Sequence, residues 1–299
     1  MMIENLQQNK IEEGNIINPD IIKKLEDYAT DRIEKVYSSM DFHNIAHTEN
    51  VSRRFYTIIN FLKENGVSVS ERDIQLGKIG TRFHDVFKTI KSVSGSDESM
   101  SAKMTLEQME EENKKTPNTF TPDDEQKINN QIMITIPGFD GKTVVYPSIN
   151  EKSTPIEIAL ILADLGGAGM DGALQFKKEG DAVFREENLD IKEYINSGMK
   201  KVIKNNEELQ KDSENIDSYK TRMFNWSKNQ ITFAEGRKEA FEKEISGFPK
   251  EVQEKLKKDV FNKFEESISY IMAIVKNREN MTFQQLAIDM GYDYSFNKR

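Results

Sequence analysis

The chain has 299 residues, long enough to bury a sizeable core as one large domain or as a domain with an appended helical module. Charged residues make up 31% and hydrophobic ones 36%, which suits a helix-rich globular protein, and the net charge of −9 disfavours general binding to nucleic acid or anionic membrane. Cysteine is absent, which excludes disulfides, thiolate zinc sites and cysteine nucleophiles, so any transition metal must be held by nitrogen and oxygen.

Residues 1–15 are polar and hold no apolar run that could serve as a signal peptide. Asn18-Pro19 then reads as a cap followed by a proline at the first helical position, and Ile21, Ile22, Leu25, Tyr28, Ala29, Ile33 and Val36 recur at helical spacing. A second helix carries Val51, Phe55, Ile58, Ile59 and Leu62 on one face and stops at Gly66. Ser70 starts a third, expected to run through Ile74, Phe83, Val86 and Phe87 and so to carry His84, Asp85 and Lys88. Gly77 and Gly80 inside it cost about 1 kcal/mol each relative to alanine. Close approach of a neighbouring helix accounts for them better than a catalytic role does.

Thr121-Pro122 and Thr154-Pro155 begin two more helices, the latter completed by Glu157 as a capping box. The stretch 137–153 is the one clear non-helical insertion, with 143–146 as a short strand. The longest apolar run, 158–165, contains Asp164 and is too short to span a bilayer, so a cytoplasmic protein without membrane association is expected. Farther on, segments 188–208, 212–246 and 250–278 alternate acidic and basic residues around sparse aromatic anchors, with Gly247-Phe248-Pro249 as a break. Trp226, Gln230, Phe233 and Arg237 form one helical stripe. Packing explains its aromatics, and Arg237 is a candidate for covering a pocket and binding a phosphate.

The expected architecture is all-α: a helical domain over 18–175, a helical C-terminal extension over 176–280 that is appended or part of the same domain, and tails at 1–17 and 281–299.

The chemistry-bearing residues are few. The three histidines are His43, His47 and His84. His43 and His47 are four apart near a helix start, a spacing that can place both rings on one face. Asp164 lies in a helix apolar on all sides, where an ionised carboxylate carries a desolvation cost of several kcal/mol; a metal ion or buried cation must compensate it, or it is protonated. Metal coordination is the reading that also accounts for the separated histidines and for Asp85 beside His84. Arg53, Arg54 and Arg82 lie near these segments and could reach phosphate, although most such arginines are salt-bridged surface residues.

His47, the pair His84-Asp85 and the distant Asp164 resemble the H…HD…D signature of the HD-domain phosphohydrolase superfamily, an all-helical fold. Phe42-His43-Asn44-Ile45-Ala46-His47-Thr48 is similar to the aromatic-His-Asn-x-x-His opening of many members, cyclic-nucleotide phosphodiesterases included. Asp97-Glu98-Ser99-Met100-Ser101-Ala102 resembles the acidic-then-Ser-Ala segment that often follows the HD pair. The resemblance covers about residues 20 to 170.

It implies one divalent metal (manganese, iron, cobalt, nickel, zinc or magnesium) held by His47, His84, Asp85 and Asp164. His43 would be the non-ligand histidine that protonates the leaving oxygen, Lys88 would touch a substrate phosphate, and Asn44 and Arg82 are further candidates for substrate contact. The implied reaction is cleavage of a phosphomonoester or phosphodiester of a small nucleotide-like metabolite by metal-activated water. The alternative is a catalytically silent module that binds a nucleotide as a sensor or docks a partner through its C-terminal helices.

The departures narrow the expectation. Lys88 stands about where the cyclic-nucleotide phosphodiesterases have another histidine. No histidine lies between Asp85 and Asp164, where the two-metal branches need them and where Thr135 sits instead. A mononuclear site is therefore favoured and oxygenase chemistry disfavoured. Asp97-Glu98 is not a convincing counterpart of the Glu-Asp pair of guanosine-tetraphosphate hydrolases.

Overall fold

The computed structural model describes residues 16–89, 93–198 and 206–293, and these are all-α apart from one two-stranded hairpin. Helix α1 (Pro19–Tyr37) starts where Asn18 accepts a hydrogen bond from the Asp20 backbone N–H, and it buries Ile21, Ile22, Leu25, Ala29 and Ile33. Helices α2 (Ile45–Glu64) and α3 (Glu71–Phe83) follow, joined by the short connection 65–70. Next come α4 (Ser96–Lys115) and α5 (Pro122–Met133), the latter opened by a reciprocal capping box between Thr121 and Asp124. The hairpin pairs β1 (Gly138–Phe139) antiparallel with β2 (Val144–Val145), Gly138 opposite Val145.

Helix α6 (Pro155–Asp164) starts at the expected capping box of Thr154 and Glu157 and buries Ile156 and every residue from Ile158 to Ala163. A π-helical turn (Gly167–Asp171) leads into α7 (Ala173–Glu187) and α8 (Leu189–Gly198). The chain continues with α9 (Asn206–Glu244), α10 (Lys250–Lys255), a second π-helical turn (Leu256–Val260), α11 (Phe264–Arg278) and α12 (Phe283–Asp289). Among the described residues no helix is long and apolar enough to cross a membrane.

Several expectations need correction. Helix α3 stops at Phe83, so His84 to Lys88 form turns instead of continuing the helix. The cause is tertiary: the Phe87 N–H donates to Ser101 Oγ and the Lys88 N–H to Tyr37 Oη, so neither is available to a helix ladder. The expected helix over 250–278 is interrupted between α10 and α11, where the Lys263 N–H donates to the Gly169 carbonyl across the fold. The expected C-terminal tail instead contains α12, whose Phe283, Leu286 and Ala287 pack with Phe184, Ile191 and Met223. Residues 1–15 and 294–299 of the expected tails, and 199–205 of the expected helix over 188–208, lie outside the described residues.

Among the described residues, three apolar clusters hold the helices together. The first runs through α2, α6, α9 and α11 and so draws on both sides of residue 176. The second joins α1, α3, α4 and α5, and the third joins α7, α8, α9 and α12. Each fully buried large apolar side chain contributes about 1.5–3 kcal/mol relative to an exposed one. Gly77 marks where α3 meets α2: a Cβ there would lie 2.3 Å from Phe55 Cζ, so only glycine permits this approach. Because α2 and α3 are antiparallel neighbours, the start of α2 lies beside the end of α3. The end of α6 arrives at the same place.

Candidate metal centre

Each candidate ligand sits at a helix end. Asn44 caps α2, its Oδ1 accepting from the Ala46 and His47 N–H groups at 3.0 and 3.4 Å, which sets His47 in the first turn. His84 is the C-cap of α3, and its Nδ1 meets the Thr81 carbonyl at 3.0 Å. That contact favours the Nδ1–H tautomer and leaves the Nε2 lone pair for another partner. Asp164 ends α6, where the helix dipole opposes a negative charge. Arg54 offsets this: its Nη1 donates to the Ala163 and Asp164 carbonyls at 3.2 and 3.4 Å.

The four side chains converge. One ligand atom from each of His47, His84 and Asp85 lies within 4.8 Å of the others. Asp85 Oδ2 is 3.4 Å from His47 Nε2 and 3.2 Å from His84 Nε2. Asp164 Oδ1 is 3.3 Å from His47 Nε2 and 3.7 Å from His84 Nε2. Donor atoms sharing one cation at about 2.0–2.2 Å would stand roughly 2.8–3.6 Å apart, for bond angles between a right angle and the tetrahedral one. The observed separations fall in that range or at its edge.

Burial and electrostatics agree with this. Both imidazoles are 2% exposed, while Asp85 and Asp164 are 13% and 15% exposed, so the rings form the floor and the carboxylates the rim. Among the described residues, neither nitrogen of His47 and not Nε2 of His84 has a hydrogen-bond partner, a costly state for buried polar atoms. Burial alone would lower the His84 pKa, but Asp85 and Asp164 outweigh it and push the ring up to about 10. Conversely burial would raise the two carboxylates, yet the imidazoles, and Lys88 beside Asp85, hold both well below the usual range. The pocket therefore demands positive charge, and the residues present fit a divalent cation with mixed nitrogen and oxygen ligands.

The other expected site residues divide. Lys88 stays at the rim, its Nζ 3.7 Å from Asp85 Oδ1. His43 lies before α2 rather than on one helical face with His47, although the two ring centroids are 6.0 Å apart. Its position comes from α7: Glu186 Oε2 accepts from the Phe42 and His43 N–H groups at 2.9 and 3.0 Å, and Oε1 meets His43 Nδ1. Thr135 is buried, its hydroxyl donating to the Ile132 carbonyl at 2.7 Å.

Of three residues expected to contact substrate, Asn44 and Arg237 are engaged elsewhere. Asn44 spends its amide on the cap and on the Met40 and Asp41 carbonyls. Arg82 has its Nε 3.8 Å from Glu26 Oε1, beyond hydrogen-bond reach. Arg237 is 2% exposed and gives its guanidinium to Glu244 and the Val144 carbonyl instead of covering a phosphate site.

Glu186 and Tyr146 are contributors that sequence reasoning did not assign to the site, and Arg54, named there as able to reach phosphate, instead pairs with Asp171 and Glu179. Arg54 alone carried a signal, since it falls between Val51 and Ile58 at the spacing of the apolar stripe. Glu186 and Tyr146 carried none. The chain matches no protein-family model, no curated protein and no solved structure.

Proposed function

We propose that this chain is a metal-dependent phosphohydrolase of the HD-domain kind, cleaving a phosphomonoester or phosphodiester in a small nucleotide-like metabolite. One observation carries the reading: two buried Nε2 atoms without hydrogen bonds face Asp85 Oδ2 and Asp164 Oδ1 at metal-ligand spacing. A divalent ion held by His47, His84, Asp85 and Asp164 would act as a Lewis acid and would lower the pKa of a bound water molecule. Lys88, at the rim, binds a phosphoryl oxygen. His43, with Nδ1 engaged by Glu186, holds a proton at Nε2 for the leaving oxygen.

The test is elemental analysis of the purified protein, followed by a panel of phosphomonoesters and phosphodiesters with manganese, cobalt or nickel. Turnover that disappears in Asp85→Ala supports the proposal. A wild-type protein that binds no metal and cleaves nothing, or activity that persists in Asp85→Ala, overturns it. Nucleotide binding without turnover would assign the sensor role instead.

A further inference from the structure

The hairpin arm reaches the candidate metal centre through Tyr146. Tyr146 follows β2 directly, is 4% exposed, and donates its hydroxyl to Asp164 Oδ2 at 2.7 Å. The other oxygen, Oδ1, is the one that faces His47 and His84. A carboxylate free to rotate would offer either oxygen or both; one with Oδ2 held by a buried hydroxyl presents Oδ1 alone.

The tyrosine is itself held. Tyr146 is among the residues lining a pocket of about 810 Å³ beside the hairpin arm and the end of α9. The Arg237 guanidinium carbon stands 5.9 Å from the ring centroid. Arg237 donates to the Val144 carbonyl at 2.9 Å and to both carboxylate oxygens of Glu244 at 2.9 and 2.8 Å. A buried ion pair of this kind adds little net stability over apolar residues. What it does here is tie the strand that carries Tyr146 to α9.

We propose that Tyr146 is a positioning residue of the metal centre, which holds Asp164 with one oxygen toward the cation, and that the Arg237–Glu244 pair holds Tyr146 in turn. The inference rests on the metal reading above. Partners behind metal ligands orient them, and their removal typically weakens metal binding by about 10–100-fold.

Calorimetric titration of Mn²⁺ into the metal-stripped full chain tests it on wild type, Tyr146→Phe and Asp85→Ala. Tyr146→Phe, checked for folding by circular dichroism, is expected to raise the dissociation constant about tenfold and to alter the visible spectrum of the Co²⁺ form. Affinity within twofold of wild type, with an unchanged Co²⁺ spectrum, overturns the proposal while leaving the metal reading intact. Failure of wild type to bind metal overturns the metal reading, and this inference with it. Should Tyr146→Phe not fold, Arg237→Met/Glu244→Met keeps the hydroxyl but frees the ring, and unchanged affinity there overturns the proposal.

Discussion

Glu186 holds His43 by two contacts, from the backbone N–H at 3.0 Å and the imidazole Nδ1, and accepts a third from the Phe42 N–H at 2.9 Å. The histidine thus owes its orientation to α7, a helix 143 residues farther along the chain. Burial works to raise the Glu186 pKa, but the His43 contacts and the two N–H groups hold it below the ordinary value. It remains an anion wherever the protein is folded near neutral pH.

On the proposed reaction, His43→Gln should lower kcat by about 10²–10⁴-fold, the range for loss of a general acid. Glu186→Gln should lower it by about 10–100-fold with KM little changed. Both variants should bind metal as wild type does, because neither residue is a ligand. Equal kcat for Glu186→Gln and wild type, measured on a substrate found in the panel, would remove Glu186 from the mechanism.

Arg54 is fully buried and meets Asp171, Glu179 and the end of α6. Arg54→Met leaves the largely buried Glu179 without its cation, while Asp171 keeps Arg53. Unfolding in urea should show a loss of about 3–5 kcal/mol. A loss below about 1 kcal/mol would mean that water replaces the guanidinium.

Asp124 links α5 to α3, accepting from Arg72 Nε and Nη2 at 2.9 and 2.6 Å and closing the Thr121 capping box. Burial pushes its pKa up, but Arg72 and Thr121 outweigh this and bring it below the ordinary 3.8. A carboxylate depressed in the folded state contributes stability above its unfolded pKa, and that contribution is lost as pH falls through the folded one. Asp124→Asn should therefore cost about 1.5–3 kcal/mol at pH 6. Its cost should shrink toward pH 3, as read from denaturant midpoints at the two pH values; a pH-independent cost would refute the linkage.

Gly77→Ala would place a methyl group 2.3 Å from Phe55 Cζ at the contact of α2 with α3. Overpacking of this kind costs about 1–3 kcal/mol. Gly247 has open space around the same position, so Gly247→Ala should stay within about 0.5 kcal/mol of wild type. Thermal melts of the two variants side by side give the comparison, and equal melting temperatures would show that α3 can shift.

Much of this molecule was legible in local chemistry. The caps at Asn18, Ser70, Thr121 and Thr154 need only neighbours within a few residues, so they could be read from spacing and they start helices where expected. The apolar run of α6 forecast its burial, and Asp164 within it forecast a site requiring positive charge. His47, His84, Asp85 and Asp164 could be named through their resemblance to the H…HD…D signature, and the fold brings the four side chains together. What local chemistry could not decide was pairing over long distances. Arg237 looked free to reach a phosphate until the fold brought Glu244 and Val144 to it. His43 looked like a residue of α2 until α7 supplied Glu186, and no periodicity marked Tyr146 as the partner of Asp164. A charge takes the nearest complement in space, and nearness across a chain is set by how the helices pack.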